Sequence, residues 1–365
     1  MAKTLLQLIV VAALGGSVDA RAQCRPAQAD ARLSVNEVRA RVLNDGALFY
    51  RAGPTDGPNA EYIVPQSEGN ASPLFGGSII VGGLVDDSIR VAGSRYAARE
   101  FWPGPVQHMP SDTLACDPYD RIFEITRSDI EELNRDVLSP NVAEWPWQWG
   151  APVVDGDGNP DNYAPLQGDR PALRGDQMLW WVMNDAAGEH LSSKGGPIGL
   201  EIRASAYAFD TAGDLDHATF FDLELRTDVD VEDAYLGIWM DGDLGDFADD
   251  FLGSDSLLHL GYIYNADETD GSGGFGYGSP PPAVGTVFIK GPDGSGNGLD
   301  DDRDGLVDEV GEELGMSSFV CGRKSFEAQN GQQFYYALQG RLRDGSPERL
   351  GGDYWDARDP AQPET

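Results

Sequence analysis

Aspartates at alternate positions are the residues of this sequence whose type and spacing could do chemistry. In Asp300-Asp301-Asp302-Arg303-Asp304-Gly305-Leu306-Val307-Asp308-Glu309, the residues Asp300, Asp302 and Asp304 fill the first, third and fifth places of a candidate calcium loop. Calcium takes roughly six to eight hard oxygens, and alternate carboxylates in a tight loop all turn inward. Gly305 stands at the sixth place, where such a loop bends sharply. Leu306 can offer its backbone carbonyl at the seventh and Asp308 its carboxylate at the ninth. The twelfth place is Gly311 rather than the bidentate Glu of a helical EF-hand, so Glu309 or Glu312 must close the shell.

The same alternation recurs in Asp155-Gly156-Asp157-Gly158-Asn159-Pro160-Asp161, which nominates Asp155, Asp157, Asn159 and Asp161 as ligands. Strings of Asp and Gly also serve as ordinary turns. A third group, Asp241, Asp243, Asp246, Asp249, Asp250 and Asp255, follows an apolar run at 234–239. Its spacing matches no single loop. It either binds metal with residues from elsewhere or forms a solvated rim.

No catalytic residue is assigned. His108, His190, His217 and His259 are scattered and never paired at helical spacing, and they read as surface or packing residues. There is no Gly-x-Ser-x-Gly elbow and no phosphate loop. Acid pairs for glycoside hydrolysis meet in space rather than in sequence. Trp145, Trp147 and Trp149 would share one face of a strand and could stack on a sugar, but they read first as core.

The elements that must hold these loops are strands. Short β-branched and aromatic runs recur between clusters of Gly, Pro, Asn and Asp, the pattern of an all-β sandwich. Strands are predicted at 35–43, 47–51, 78–85, 89–97 and 121–126, then at 178–183, 198–209, 219–226, 234–239, 257–264 and 284–289. One short helix is predicted, with Ser128 and Glu131 as its capping box and Ile130, Leu133 and Val137 as its apolar stripe. Leu138-Ser139-Pro140 reads as a linker, and the stretch 270–282, rich in Gly, Ser and Pro, as a mobile loop. The fold class is therefore mainly β: sandwich-like units with long Asp/Gly-rich loops, divided into residues 23–140 and 141–365.

Charge narrows the partners. With 26 basic and 61 acidic residues the chain carries a formal charge of −35, which repels nucleic acid and anionic membrane. Divalent cation binding, adaptation to high salt and plain solubility all remain as readings of that acidity. Lysine occurs only as Lys3, Lys194, Lys290 and Lys324, a skew that fits a salt-loving host or a GC-rich genome. Residues 1–22 read as a signal peptide: Lys3, an apolar run from Leu5 to Gly16 interrupted by Gln7, then Ala20-Arg21-Ala22 ahead of Gln23. That run, about a dozen residues, is too short to cross a bilayer, and no transmembrane segment is predicted later. Arg21-Ala22-Gln23 ahead of Cys24 does not read as a lipobox. Cys24, Cys116 and Cys321 make an odd count in an export context, so one bridge and one thiol is the simplest arrangement, and Cys24–Cys116 would tie down the new N-terminus.

The order of Phe101-Trp102-Pro103-Gly104-Pro105, Cys116, Tyr119-Asp120-Arg121-Ile122 and Trp145-Pro146 resembles the N-terminal region of large secreted proteins of Bacteroidota-like bacteria that carry a C-terminal type IX secretion sorting domain. Gly168-Asp169-Arg170-Pro171, Gly175-Asp176-Gln177 and Leu179-Trp180-Trp181-Val182-Met183-Asn184-Asp185 continue the likeness. Gly237-Ile238-Trp239, Asp241-Gly242-Asp243-Leu244-Gly245, Asp249-Asp250 and Tyr264-Asn265-Ala266-Asp267 extend it over most of the chain. Two departures stand out: Ser254 replaces an expected cysteine, and no sorting domain follows Thr365, which reads as a fragment of a longer protein. The resemblance implies an extracellular or cell-surface protein with no assigned reaction. Together with the loops it leads to the expectation of a calcium-binding structural or adhesive protein whose partner is an extracellular protein or glycan. The alternative is a secreted carbohydrate-binding or carbohydrate-active module.

Overall fold

The computed structural model describes residues 24–51, 60–69, 71–96, 99–106, 116–271, 276–292, 298, 305–307, 312–321 and 328–348. The expected signal peptide lies outside them. The first strands are β1 (Asp30–Leu33), β2 (Arg39–Leu43), β3 (Ala47–Leu48), β4 (Tyr62–Ile63), β5 (Gly76–Val85), β6 (Ser88–Gly93), β7 (Trp102–Pro103) and β8 (Phe123–Thr126). Helices α1 (Arg127–Leu133) and α2 (Pro140–Ala143) follow, then β9 (Val153–Val154), β10 (Arg170–Pro171), β11 (Gln177–Asn184), β12 (Leu200–Ala208) and β13 (Phe220–Thr227). The remainder holds β14 (Glu232–Asp241), β15 (Asp250–Asp255), β16 (Leu260–Asn265), β17 (Ala283–Val287) and α3 (Gly331–Leu338).

The mainly β expectation holds. A seven-stranded sheet runs β1-β2-β3-β5-β14, with β4 on β2 and β6 on β5, and a five-stranded sheet runs β13-β12-β11-β7, with β8 on β11. They share one core: Val42, Leu48, Ile79 and Val81 of the first sheet meet Leu179, Trp181, Met183, Ile202 and Ala204 of the second. Alternate residues of a strand face opposite sides, and β11 is buried on both. Its Met178, Trp180 and Val182 turn outward to pack with Leu133, Val142 and Trp145 beneath α1 and α2. On the far side of the sandwich Ile80 of β5 packs with Phe334 and Tyr335 of α3. A Cβ on Gly237 would come within 2.5 Å of Leu338, so the bare backbone of β14 is what lets α3 lie close.

Four features differ from the sequence reading. The expected division at residue 140 cuts through both large sheets, because β14 pairs with β5 and β11 pairs with β7 and β8. Leu138-Ser139-Pro140 is no linker: Ser139 caps α2 by accepting the Val142 N–H, and Pro140 opens the helix, where a missing N–H costs nothing. The capping box of α1 is Thr126 and Asp129, two residues ahead of the expected Ser128 and Glu131. Described residues contain three α-helices in place of the single one expected. Cys24 and Cys116 form the disulfide and pack with Trp102 and Ala187, while Cys321 is a half-buried thiol.

The shared core sets a stability expectation. Ile202 is 0% exposed between the two sheets, whereas Leu166 is 63% exposed. Ile202→Ala should destabilise the chain by about 2–5 kcal/mol in a denaturant titration, from lost burial and a residual cavity. Leu166→Ala should stay within about 0.5 kcal/mol of the parent.

Candidate metal centre

The loop 155–169 is closed at its base by a two-stranded ribbon, in which Arg170 pairs with Val154 and Pro171 with Val153. That pairing brings Asp155, just past β9, beside Asp169, just before β10. The limbs approach so closely that a Cβ on Gly156 would sit 2.0 Å from the Gly168 carbonyl oxygen. The ligating atoms of Asp155, Asp157 and Asp169 all lie within 4.8 Å of one another, the only such trio of His, Cys, Asp or Glu among the described residues. Oxygens about 2.4 Å from one calcium ion span at most that distance. The group could hold a metal ion, and its hard oxygen donors select the calcium, magnesium and manganese class over thiolate- or imidazole-seeking metals.

Backbone N–H groups stabilise the charge of this cluster. Asp169, 1% exposed, accepts from Gly156 N at 3.0 Å, Asp157 N at 3.4 Å and Ala164 N at 2.6 Å. The N–H groups of Ala164 and Gly156, with that of Asp157, outweigh burial and hold its carboxyl below the usual aspartate range. Asp155 Oδ1 accepts from Gly158 N at 2.7 Å and Asn159 N at 3.2 Å. Asp157 accepts from Asn159 N at 2.8 Å and Asn162 Nδ2 at 3.0 Å. Tyr163 anchors the loop to α2 by donating to the Val142 carbonyl at 2.8 Å. Of the other expected ligands, Asn159 Oδ1 accepts from Asp161 N at 3.3 Å, and Asp161 is exposed and outside the trio. Asp169, missed by the spacing, completes the trio through the closure of the β9–β10 ribbon.

The third acidic group is drawn together by a different route. Tyr96 donates to Asp241 Oδ2 at 2.7 Å, and Leu244 N donates to Asp250 Oδ2 at 2.8 Å. Asp246 caps the short turn Phe247–Asp249 that leads into β15. Asp270, 1% exposed and outside the expected set, accepts from Asp246 N at 2.9 Å and Tyr277 N at 2.6 Å. Gly245 takes a φ of 69° and would drive a Cβ to 2.0 Å from Asp270 Oδ2. Burial, then the charge of Asp241, pushes Asp243 up to about 6. Burial does the same to Asp250, also up to about 6, helped by the charges of Asp270, Asp243 and Asp249 against the Leu244 N–H. Asp255 lies at the other end of β15, accepting from Leu257 N and Leu258 N.

Of the loop at 300–312, Asp300, Asp302, Asp304, Asp308 and Glu309 lie outside the described residues. Gly305 has the positive φ of 98° that a sharp turn requires, Leu306 is exposed, and Glu312 is fully buried. The tryptophans do not form a strand: Trp147–Trp149 is a single turn of 3-10 helix. Trp145, Trp180 and Trp181 are core, and Trp149 packs on Tyr119 at 4.6 Å and Phe123 at 5.5 Å. His190 is buried, with ring nitrogens 2.7 Å from the carbonyls of Val91 and Asp185. Comparison with protein-family models, curated proteins and solved structures finds no match. No helix of the described residues is long and apolar enough to cross a membrane.

The raised acids predict a pH dependence whose sign is opposite to that of a salt-bridged carboxylate. In chelator, the folded chain binds more protons than the unfolded chain between about pH 4 and 6 at Asp243 and Asp250. Their contribution to stability is therefore greatest below that window and is lost as pH rises through it. Asp243→Asn with Asp250→Asn should flatten this part of the profile in thermal melts across pH.

Proposed function

We propose that the chain is an exported calcium-binding protein of structural or adhesive character, in which calcium at the Asp155 loop stiffens a surface offered to an extracellular protein or glycan. The observation that carries the reading is the convergence of Asp155, Asp157 and Asp169 within 4.8 Å at the base of a ribbon-closed loop. Calcium suits the site better than magnesium. Asp155 and Asp157 are exposed and leave room for water and backbone carbonyls in an irregular shell, whereas magnesium demands near-octahedral geometry and gives up water reluctantly. Export rests on the basic start, apolar run and Ala20-Arg21-Ala22 of the N-terminus. The structural role follows from where the loop sits: Tyr163 ties it to α2, so fixing its limbs fixes the layer over β11.

Calorimetry on the chelated chain tests this directly. Asp155→Asn with Asp157→Asn should bind one calcium ion fewer than the parent. An unchanged stoichiometry would reduce the loop to a solvated turn. Calcium at about a hundred times its dissociation constant should stabilise the parent by about 2.7 kcal/mol per site. Chelation at constant ionic strength should correspondingly lower the melting temperature, and magnesium should compete poorly. Stability that rises with molar NaCl but ignores chelation would favour salt adaptation instead.

A further inference from the structure

The third acidic group lies where β14, β15 and β16 meet, and it contains oxygens with no hydrogen-bond partner among the described residues. Asp241 ends β14, Asp250 opens β15, Asn265 closes β16, and Asp270 lies between β16 and β17. Asp250 and Asn265 are direct partners across β15 and β16. Opposite residues of an antiparallel pair stand on the same face with Cβ atoms about 5 Å apart. Asn265 is 8% exposed, and its Oδ1 is buried without a hydrogen-bond partner. The orientation of that amide is fixed, because Nδ2 donates to the Asp267 carbonyl at 3.3 Å. Asp250 Oδ1 is likewise buried without a partner, while its Oδ2 receives the Leu244 N–H. The salt bridges among the described residues all lie elsewhere.

Two bare acceptors on facing residues, with the charges of Asp243 and Asp270 bearing on Asp250, make a place that a positive group would stabilise. We propose that Asp243, Asp250, Asp270 and the side-chain carbonyl of Asn265 hold one divalent cation that fastens the three-stranded sheet β15–β17 to the end of β14. The donor set is oxygen alone, which suits calcium. Among the described residues each Asp270 oxygen accepts one backbone N–H, which leaves a lone pair for the ion. Among the described residues the Asp155 trio is the only one converging within 4.8 Å, so the oxygens here would close on the ion from a looser start. This site stands independently of the Asp155 loop.

The test uses the full chain carrying Asp155→Asn and Asp157→Asn, chelated and then titrated with calcium chloride at neutral pH. That chain should still bind calcium, and adding Asp243→Asn with Asp250→Asn should remove one ion. An equal stoichiometry in the two would overturn the proposal. Asn265→Asp covers the case in which the double variant fails to fold. It adds an acid to a dry cluster, so it should melt earlier than its background in chelator, recover on addition of calcium, and bind calcium several-fold more tightly. If calcium fails to raise its melting temperature, the bare oxygens are answered by a shared proton and the site does not exist.

Discussion

Burying an ionised carboxylate costs several kcal/mol unless charge or hydrogen bonds replace the water it loses, and a chain with 61 acidic and 26 basic residues has too few cations to do this. The backbone takes over. Glu100, fully buried, accepts from Gly93 N at 3.1 Å, Ser192 N at 2.9 Å and Ser193 N at 2.6 Å. Asp185, also fully buried, accepts from the N–H groups of Ile198, Gly199 and Leu200. Burial pushes the Asp185 carboxyl up, and those three donors pull against it. Asp120 gathers Gln28 N and Ala29 N in the same way. Glu100 and Asp185 thereby tie loops to the ends of β6 and β12, and Asp120 ties the segment ahead of β1 to the loop after Cys116, through charge-assisted bonds, which are stronger than neutral ones. His190 completes the network by bridging the carbonyls of Val91 on β6 and Asp185 past β11. Loops that would otherwise be slack are thereby wired to both sheets.

The sandwich makes that wiring possible by giving the loops rigid ends. With β11 covered by the core on one face and the α1–α2 layer on the other, its ends are fixed. The segment from α2 through the 155–169 loop to β10 then leads directly into β11, so the Asp155 trio is held between two anchored elements. The same holds for β14, which lies against β5 over its whole length before delivering Asp241 and Asp243 to the third acidic group. Neither group is an ornament on a mobile tail: one is closed by the β9–β10 ribbon that leads into β11, and the other follows β14, half-buried against β5.

Much of this was legible in the residues. The long strands β5, β11, β12 and β14 announced themselves by β-branched and aromatic runs between Gly and Asp clusters. β15 did not, because Asp250 to Asp255 reads as an acidic turn until β16 supplies its partner. The ligand trio was legible only in part. Alternation marks Asp155 and Asp157, but it assumes an extended path, and the loop instead coils so that Asn159 serves its own backbone. Asp169 and Asp270 enter through antiparallel closure and a returning loop, long-range events with no local signature. The domain boundary failed for the same reason: Ser139 and Pro140 punctuate a helix start, and punctuation does not say which strands will pair across it.

The two acidic groups differ in the physics that would attract a cation. At Asp169 the backbone N–H groups stabilise the charge, so the carboxylate stays ionised and the exposed Asp155 and Asp157 keep their water. An ion there finds a preformed anionic loop, and its binding energy goes largely into holding the limbs together. At Asp243 and Asp250 burial opposes the charge, so the ionised cluster is itself a strain on the fold. An ion there relieves that strain as well as bridging it, which couples binding to the docking of β15–β17. The first group would offer an ion carboxylates that are already charged, and the second would become fully charged only as an ion enters. The difference lies in the number of N–H donors aimed at each carboxylate: three at Asp169 and one at Asp250.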